Sequence, residues 1–232
     1  MHKNIVILTG AGISAESGLS TFRDNQGFWD EYAIEEVATP EGFQKNPEMV
    51  HQFYNQRRAQ LDSVTPNKAH HALAKLEKHW QGDFTLITQN VDDLHERAGS
   101  QNVIHMHGEL KKARCLKTGK TLSWHEDLTP QTKSPFHPEA HLRPHIVWFG
   151  EVPFQLDLIF HKLDHADIFV SIGTSGQVHP AAGFVTHVYQ KGQCQRIEIN
   201  TEESEISHFF DQQWTGKATE KVPELLNLLH KI

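Results

Sequence analysis

The sequence is poor in cysteine, in positive charge and in long apolar runs. Its 232 residues include only two cysteines, Cys115 and Cys194, which cannot build a disulfide framework and so favour a reducing compartment. The 29 acidic residues outnumber the 22 basic ones, and the net charge of -7 argues against nucleic acid as a partner. The apolar run at residues 5–8 is too short for a signal peptide or a membrane span, and no later run does better. We therefore expect a soluble cytoplasmic protein with no membrane partner.

What the sequence does contain is an alternation of strand and helix patterns. Short runs of Val, Ile, Leu and Phe, typical of strands buried on both faces, lie at residues 4–8, 83–87, 102–106, 167–172 and 196–199. Helical patterns lie at residues 68–79, 92–98 and 180–190. This alternation predicts the α/β fold class, with a Rossmann-like doubly wound parallel sheet.

Two stretches do not follow the sheet pattern and predict a smaller second lobe. The stretch 32–65 looks helical, and the stretch 109–143 is rich in Lys, Thr, His and Pro. We expect one domain over residues 1–232, in which these two insertions form the small lobe. The large lobe then consists of residues 1–31, 66–108 and 144–232.

The residues after the predicted strands point to a ligand site. Glycine or small polar residues follow each strand, and the carboxyl ends of parallel strands face one crevice where ligands bind. After the first strand, Gly10-x-Gly12-x-x-Ala15 matches the loop that lets a backbone approach a pyrophosphate, although a plain tight turn would read the same. Asp30 and Glu31 have the spacing of the ribose-binding acid of dehydrogenases, but no strand leads into them. A dinucleotide is expected, but not hydride transfer by the standard arrangement.

Five blocks of the chain resemble the signature sequences of the sirtuins, which are NAD-dependent protein lysine deacylases. They are GAGISAESGLSTFR (10–23), TQNVDDLHERAG (88–99), HMHGEL (105–110), VWFGE (147–151) and GTSGQVHPAAG (173–183). The blocks come in the family's order and span nearly the whole chain. The resemblance implies that the acyl oxygen of a modified lysine attacks the ribose carbon bearing nicotinamide. Nicotinamide then leaves and the acyl group ends on ADP-ribose, so that NAD is consumed as a co-substrate.

The resemblance also implies which residues bind NAD and which catalyse. The cofactor-binding residues are Gly10, Ala11, Gly12, Ser14, Phe22, Arg23, Gln89, Asn90, Asp92, Gly173, Thr174, Ser175, Asn200, Glu202 and Ala218. His107 is the expected general base, with Asn90 and Asp92 as further catalytic residues. His105 lies two positions before His107 on one face of a predicted strand, so periodicity alone does not choose between them. Asn90 or Asp92 would also serve as a helix cap.

A second set of residues addresses the acylated lysine. On a helix, Tyr54 and Arg57 lie side by side, and a phenol beside a guanidinium makes a carboxylate receptor. An amphipathic helix with an incidental Arg is the alternative. The Tyr-x-x-Arg pair resembles that of the sirtuins that remove succinyl, malonyl and glutaryl groups, and Ala38 matches the small residue that leaves room for them. The expected substrate-binding residues are Ala38, Tyr54, Arg57, Val147, Phe149, Gly150, Glu151 and Val178.

The sequence departs from the family at its zinc site. Most sirtuins bind a structural zinc with two pairs of Cys, whereas only Cys115 falls at a ligand position here. A substitute site from Cys115, His125, His137 and His141 matches no standard spacing, so we expect no metal.

Two other functions would use the same pocket. ADP-ribosyl transfer to a protein, or plain NAD hydrolysis, would also rely on His107, while a non-catalytic NAD-binding module would not need His107, Asn90 and Asp92 together. The expected partners are acylated lysine side chains of proteins. Without heptad repeats or an exposed apolar helix, we expect a monomer.

Overall fold

A six-stranded sheet and a three-stranded sheet organise the fold. The computed structural model describes residues 2–19 and 32–229. The strands are β1 (Ile5–Thr9), β2 (Phe84–Thr88), β3 (Val103–His105), β4 (Gly108–Cys115), β5 (Thr121–Ser123), β6 (Leu142–Ile146), β7 (Ile168–Ile172), β8 (Gln195–Asn200) and β9 (Gln212–Thr215). The helices are α1 (Gly12–Ala15), α2 (Ile34–Val37), α3 (Pro40–Lys45), α4 (Pro47–Gln60), α5 (Lys68–His79), α6 (Leu94–Ala98), α7 (Leu156–Asp164), α8 (Phe184–Lys191) and α9 (Ala218–Leu229). Short 3-10 helices lie at Leu61–Ser63, Ala181–Gly183 and Ser207–Phe209.

The six-stranded sheet is parallel throughout, with the strand order β3-β2-β1-β7-β8-β9. Ile7 of β1 lies opposite Leu86 of β2 on one side and Val170 of β7 on the other. The strand order reverses between β1 and β7, which is the point where doubly wound sheets bind their ligands. The predicted fold class is confirmed. All five predicted strands are present, and β9 is a sixth.

Helices cover both faces of this sheet. Ile5 and Ile7 pack into a core cluster with residues of α5 and α9, while the alternate residues Val6 and Leu8 pack into a cluster with residues of α7 and α8. All four side chains are at most 2 % exposed. Burial on both faces explains why the first four residues of β1 form an unbroken apolar run, and each such side chain contributes about 1.5–3 kcal/mol.

The smaller sheet is antiparallel, with the order β5-β4-β6. Helix α4 packs against β4 and β6, and their shared core contains Phe53, Leu110 and Trp148. Strand β4 begins at Gly108 and β6 ends at Ile146, close to the predicted limits of the second insertion. The grouping of these elements with residues 32–65 into a separate lobe stays a prediction. In the described parts of the chain, no helix is both long and apolar enough to cross a membrane.

Candidate active site

Two glycine-containing loops touch at the point where the strand order reverses. Gly12 N donates to Gly173 O at 2.9 Å, and a Cβ on Gly10 or Gly12 would lie 2.7 Å from backbone atoms of Gly173. Gly173 itself has a φ of +62°, and a Cβ there would lie 2.6 Å from Ile13 N. Glycine is therefore required at these positions because the two loops pack too closely to leave room for a Cβ atom. This contact brings the predicted cradle residues from β1 and β7 together.

A hydrogen-bonded network joins the loop after β2 to the loop after β1. Asn90 Nδ2 donates to Gly10 O at 3.1 Å and to Ser14 Oγ at 3.2 Å, and Ser14 Oγ donates to Asp92 Oδ2 at 3.1 Å. Asp92 Oδ1 also accepts from Leu94 N at 3.1 Å, so Asp92 supports the start of α6 as well. Burial raises the pKa of Asp92, and the bonds from Leu94 and Ser14 counter part of this.

Two buried histidines lie behind this network, and sequence reasoning missed them. His70 Nε2 lies 3.4 Å from Ser14 Oγ, and the His70 and His95 rings meet edge to face with centroids 5.0 Å apart. His95 Nε2 lies 3.0 Å from Thr9 Oγ1. Burial lowers the pKa of His70 to about 4 and that of His95 well below its ordinary value, so both rings are neutral at pH 7. The sequence did contain one sign of the role of His70. It is the third residue of α5, a position from which a side chain can accept from the backbone N–H before the helix, as His70 Nδ1 does from Asn67 N.

The predicted base, His107, lies in the turn after β3. The strand ends at His105, so the two histidines do not share a strand face as expected. His107 Nδ1 lies 3.1 Å from Gln89 O, and a carbonyl can only accept, so Nδ1 carries the proton and Nε2 holds the lone pair. Burial lowers the pKa of His107, and the bond to Gln89 offsets part of this. His105 instead places its Nε2 2.6 Å from Glu96 Oε1.

Thr174 and Ser175, predicted for the phosphate cradle, follow β7, and the residues predicted for the adenosine end of NAD are Asn200, Glu202 and Ala218. Asn200, the last residue of β8, donates from Nδ2 to Thr174 O at 2.8 Å. Ser175 Oγ accepts from Gln177 N at 3.3 Å, and Glu202 is exposed in the loop after β8. The remaining residue of this set, Ala218, is the buried first residue of α9. Phe22 and Arg23, also predicted to contact NAD, lie outside the described residues.

The predicted acyl receptor lies on α4. Tyr54 is 3 % exposed, and its Oη accepts from Trp148 Nε1 at 3.0 Å. Burial raises the pKa of Tyr54 to about 12, and Arg57 moderates this rise. Arg57 is half-buried, and burial lowers its pKa, while Tyr54 and Asp92 act on this pKa in the opposite direction. The Cζ atom of Arg57 lies 5.7 Å from the centroid of the Phe53 ring.

Arg58, the next residue of α4, has a structural role. Its Nε donates to Leu110 O at 2.7 Å, which ties α4 to β4 of the small sheet, and its Nη1 donates to Asn55 Oδ1 within α4 at 2.9 Å. The two neighbouring arginines therefore have different surroundings: Arg58 is buried and Arg57 is half-buried.

The VWFGE segment is hydrogen-bonded to the turn of His107 and to Ala38. Val147 N donates to His107 O and Phe149 N donates to Ala38 O, both at 2.9 Å. Phe149 is 47 % exposed and Gly150 is exposed beside it. The Glu151 side chain turns inward, where it accepts from Arg143 and from Trp148 N, so it holds the loop in place. Val178, predicted to bind the peptide from the other side, is half-buried.

Comparison with known proteins identifies the family. The sequence pattern described as the Sir2 family matches residues 10–180. The chain belongs to the Sir2 family.

Relatives in this family cover nearly the whole chain. The NAD-dependent protein deacylase of Vibrio cholerae is 54% identical over 97% of this chain and 92% of its own length. The protein of the same name from Escherichia coli K12 is 51% identical over 98% of this chain and 82% of its own.

Solved Sir2 structures share the fold. A Sir2 homologue in complex with NAD superposes with a TM-score of 0.89 at 42% identity, covering 98% of this chain and 89% of that one. A Sir2 protein bound to acetylated peptide gives a TM-score of 0.82 at 26% identity, covering 99% of this chain and 94% of that one. The expectation of an NAD-dependent protein deacylase is confirmed at this level, whereas the individual site residues stay predictions.

The region where most sirtuins bind zinc has a different composition in this Sir2 protein. Cys115 Sγ accepts from Thr118 N at 3.5 Å. Burial raises the pKa of Cys115, but hydrogen bonds from Ser134 and Thr118 outweigh this and bring it to about 7. Within residues 2–19 and 32–229, no group of three or more His, Cys, Asp or Glu side chains could hold a metal ion. One thiol among hydroxyl groups does not fit a tetrahedral thiolate site, and the absence of zinc stays a prediction.

Proposed function

We propose that this Sir2 protein removes acidic acyl groups, such as succinyl and malonyl, as well as acetyl from lysine side chains of proteins. In this reaction NAD is consumed, and nicotinamide and O-acyl-ADP-ribose are released. The curated relatives are named deacylases, which leaves the acyl group open.

The observation that carries the choice of acyl group is the position of Arg57. Its guanidinium is partly shielded from water, lies 5.7 Å from the centroid of the Phe53 ring and belongs to the residue three positions after Tyr54 on α4. An acyl group that enters between the small lobe and the ribose site would place its far end beside these donors. Arg and Tyr together satisfy a carboxylate with charge-assisted hydrogen bonds, whereas an acetyl methyl gains nothing from them.

The residues at the strand ends fit NAD as the co-substrate. Backbone groups of the two touching loops suit a pyrophosphate, and the amide, hydroxyl and carboxylate of Asn90, Ser14 and Asp92 suit a ribose and a carboxamide. When bound, NAD supplies the ribose carbon that takes the acyl oxygen and the nicotinamide that departs. The protein's task is to hold the reacting groups together and exclude water.

His107 is suited to act as the general base. Its Nδ1 proton is held by Gln89 O, so the free Nε2 lone pair can accept a proton from a ribose hydroxyl. Because burial keeps its pKa below the ordinary value, the ring is neutral at pH 7 and ready for that role.

The acylated peptide is proposed to lie extended between the loop of Phe149 and Gly150 and the loop of Val178. Pairing through the backbone adds a strand and reads little side-chain sequence, so we expect broad use of protein substrates. A single sharply preferred flanking sequence among acylated peptides would contradict this.

Mass spectrometry of two matched peptides tests the proposal. One carries acetyl-lysine and the other succinyl-lysine, and each is incubated with NAD and either the wild-type protein or His107→Ala. We expect both peptides to lose their acyl group only with NAD and intact His107, with O-acyl-ADP-ribose as a product. If only the acetyl group is removed from its peptide, the assignment of Tyr54 and Arg57 as a carboxylate receptor is wrong. ADP-ribose attached to protein, or free ADP-ribose without deacylation, would favour ADP-ribosyl transfer or NAD hydrolysis instead.

A further inference from the structure

A buried tryptophan lies directly behind the tyrosine of the proposed acyl receptor. Trp148 is 2 % exposed, and its Nε1 donates to Tyr54 Oη at 3.0 Å. An indole N–H can only donate, so the direction of this hydrogen bond is fixed and the phenol oxygen is the acceptor.

That bond restricts where the hydroxyl proton of Tyr54 can point. A phenol O–H prefers the plane of its ring, which gives it two orientations. Because the indole proton already faces the phenol oxygen, the Tyr54 hydrogen cannot point at Trp148 Nε1 and takes the orientation away from it. Since burial raises the pKa of Tyr54 to about 12, the hydroxyl keeps this proton at neutral pH. Tyr54 is therefore a hydrogen-bond donor of set direction.

The indole itself is held through its ring and its backbone. The Arg143 guanidinium lies 3.3 Å from the centroid of the Trp148 ring, and the Phe43 ring packs with its centroid 5.0 Å away. Glu151 binds Arg143 at 2.7 and 3.0 Å and also accepts from Trp148 N at 2.9 Å. These contacts do not use Nε1. A phenylalanine at position 148 would keep an aromatic ring under Arg143 and lose the donor to Tyr54 together with the second ring of the indole.

We propose that Trp148 is a positioning residue for acyl specificity, which orients the Tyr54 hydroxyl toward the carboxylate of an acidic acyl group. This inference rests on the proposed function of the Tyr54 and Arg57 pair. Trp148 acts through Tyr54 and does not itself touch the acyl group. An acetyl group has no carboxylate to receive the proton, so the orientation of Tyr54 matters to acidic acyl groups alone.

A double-mutant cycle with Trp148→Phe and Tyr54→Phe tests the inference. The readout is the ratio of kcat/KM for a succinyl-lysine peptide to kcat/KM for the matched acetyl-lysine peptide, measured at saturating NAD. We expect Tyr54→Phe to lower this ratio by about tenfold or more, because it removes a hydrogen bond to a charged carboxylate. Trp148→Phe should lower the ratio by about three- to tenfold, because it removes only the neutral bond that orients that hydroxyl. In the double variant the ratio should equal that of Tyr54→Phe, because the indole proton then has no hydroxyl to orient.

Several results would overturn the inference. If Trp148 has a purely structural role, Trp148→Phe should lower both deacylation activities alike and leave their ratio unchanged. The inference is also wrong if the effects of Trp148→Phe and Tyr54→Phe on the ratio multiply in the double variant. If Trp148→Phe does not fold, 3-benzothienylalanine at position 148 keeps the bicyclic shape and replaces the N–H by sulfur, and the same ratio is measured.

Failure of this inference differs from failure of the proposed function. Suppose that the wild-type protein removes succinyl and that Arg57→Met loses that activity. If Trp148→Phe then leaves the ratio of desuccinylation to deacetylation unchanged, only the role proposed for Trp148 is wrong. If the wild-type protein does not remove succinyl at all, both fall.

Discussion

Replacing Arg57 by methionine is the most direct perturbation of the proposed acyl receptor. Methionine keeps an unbranched side chain with good helix propensity and removes the guanidinium. Removing the charged partner of a carboxylate in a buried site costs about 2–5 kcal/mol of binding free energy. Because Arg57 is only half-buried, a value of about 3 kcal/mol is appropriate, and it corresponds to a loss of kcat/KM on the order of 100-fold for a succinyl-lysine peptide.

The assay compares succinyl-lysine and acetyl-lysine in one peptide sequence, with product followed by mass spectrometry. Deacetylation should fall far less than desuccinylation, because acetyl carries no charge for Arg57 to bind. Arg57→Lys retains the charge without the planar fork, so its loss should be intermediate.

The neighbouring arginine provides a matched control. Arg58 binds Leu110 O and Asn55, so Arg58→Met should lower the melting temperature and affect both deacylations in the same proportion. Equal losses of the two activities in Arg57→Met, or the same change of ratio in Arg58→Met, would refute the assignment of Arg57 as the carboxylate receptor.

Three further predictions concern the loops, the base and the metal. Gly173→Ala should lower stability by about 1–3 kcal/mol more than Gly192→Ala, as measured by urea unfolding. Both glycines have positive φ, but only at Gly173 does a Cβ meet backbone; equal losses would show that packing of the loops is not the reason. The pKa of His107 is lowered from its ordinary value and the base must be unprotonated, so the acid limb of kcat/KM should have its midpoint below about pH 6.5. An acid limb that is due to His107 and has its midpoint above pH 6.5 would contradict this prediction. Protein purified without chelator should contain well below one equivalent of zinc by metal analysis, and one full equivalent bound near Cys115 would show that the prediction is wrong.

Local patterns in the sequence predicted the large sheet because its strands are buried on both faces. The run at β1 has no polar interruption, and helix α5 was predicted with its observed limits, Lys68–His79. Strand β9 was missed because Gln212–Thr215 contains one large apolar residue and lies at the edge of the sheet, where partial burial leaves a weak pattern. Helix α9 was also missed, although Val222, Leu225 and Leu229 have helical spacing; Pro223 lies inside it.

The sequence by itself determined the family, the fold class and the residues gathered at the strand ends. These properties depend on motifs and on periodicity, which are local along the chain. Only the tertiary structure decided which partners those residues have. Ser14 meets Asp92 across 78 positions and Trp148 meets Tyr54 across 94, and the touching loops at Gly10 and Gly173 explain their glycines by steric contact. Hydrogen bonds and close contacts between distant segments leave no periodic trace in the sequence, so the direction of the Tyr54 hydroxyl and the tautomer of the proposed base follow only from the folded chain.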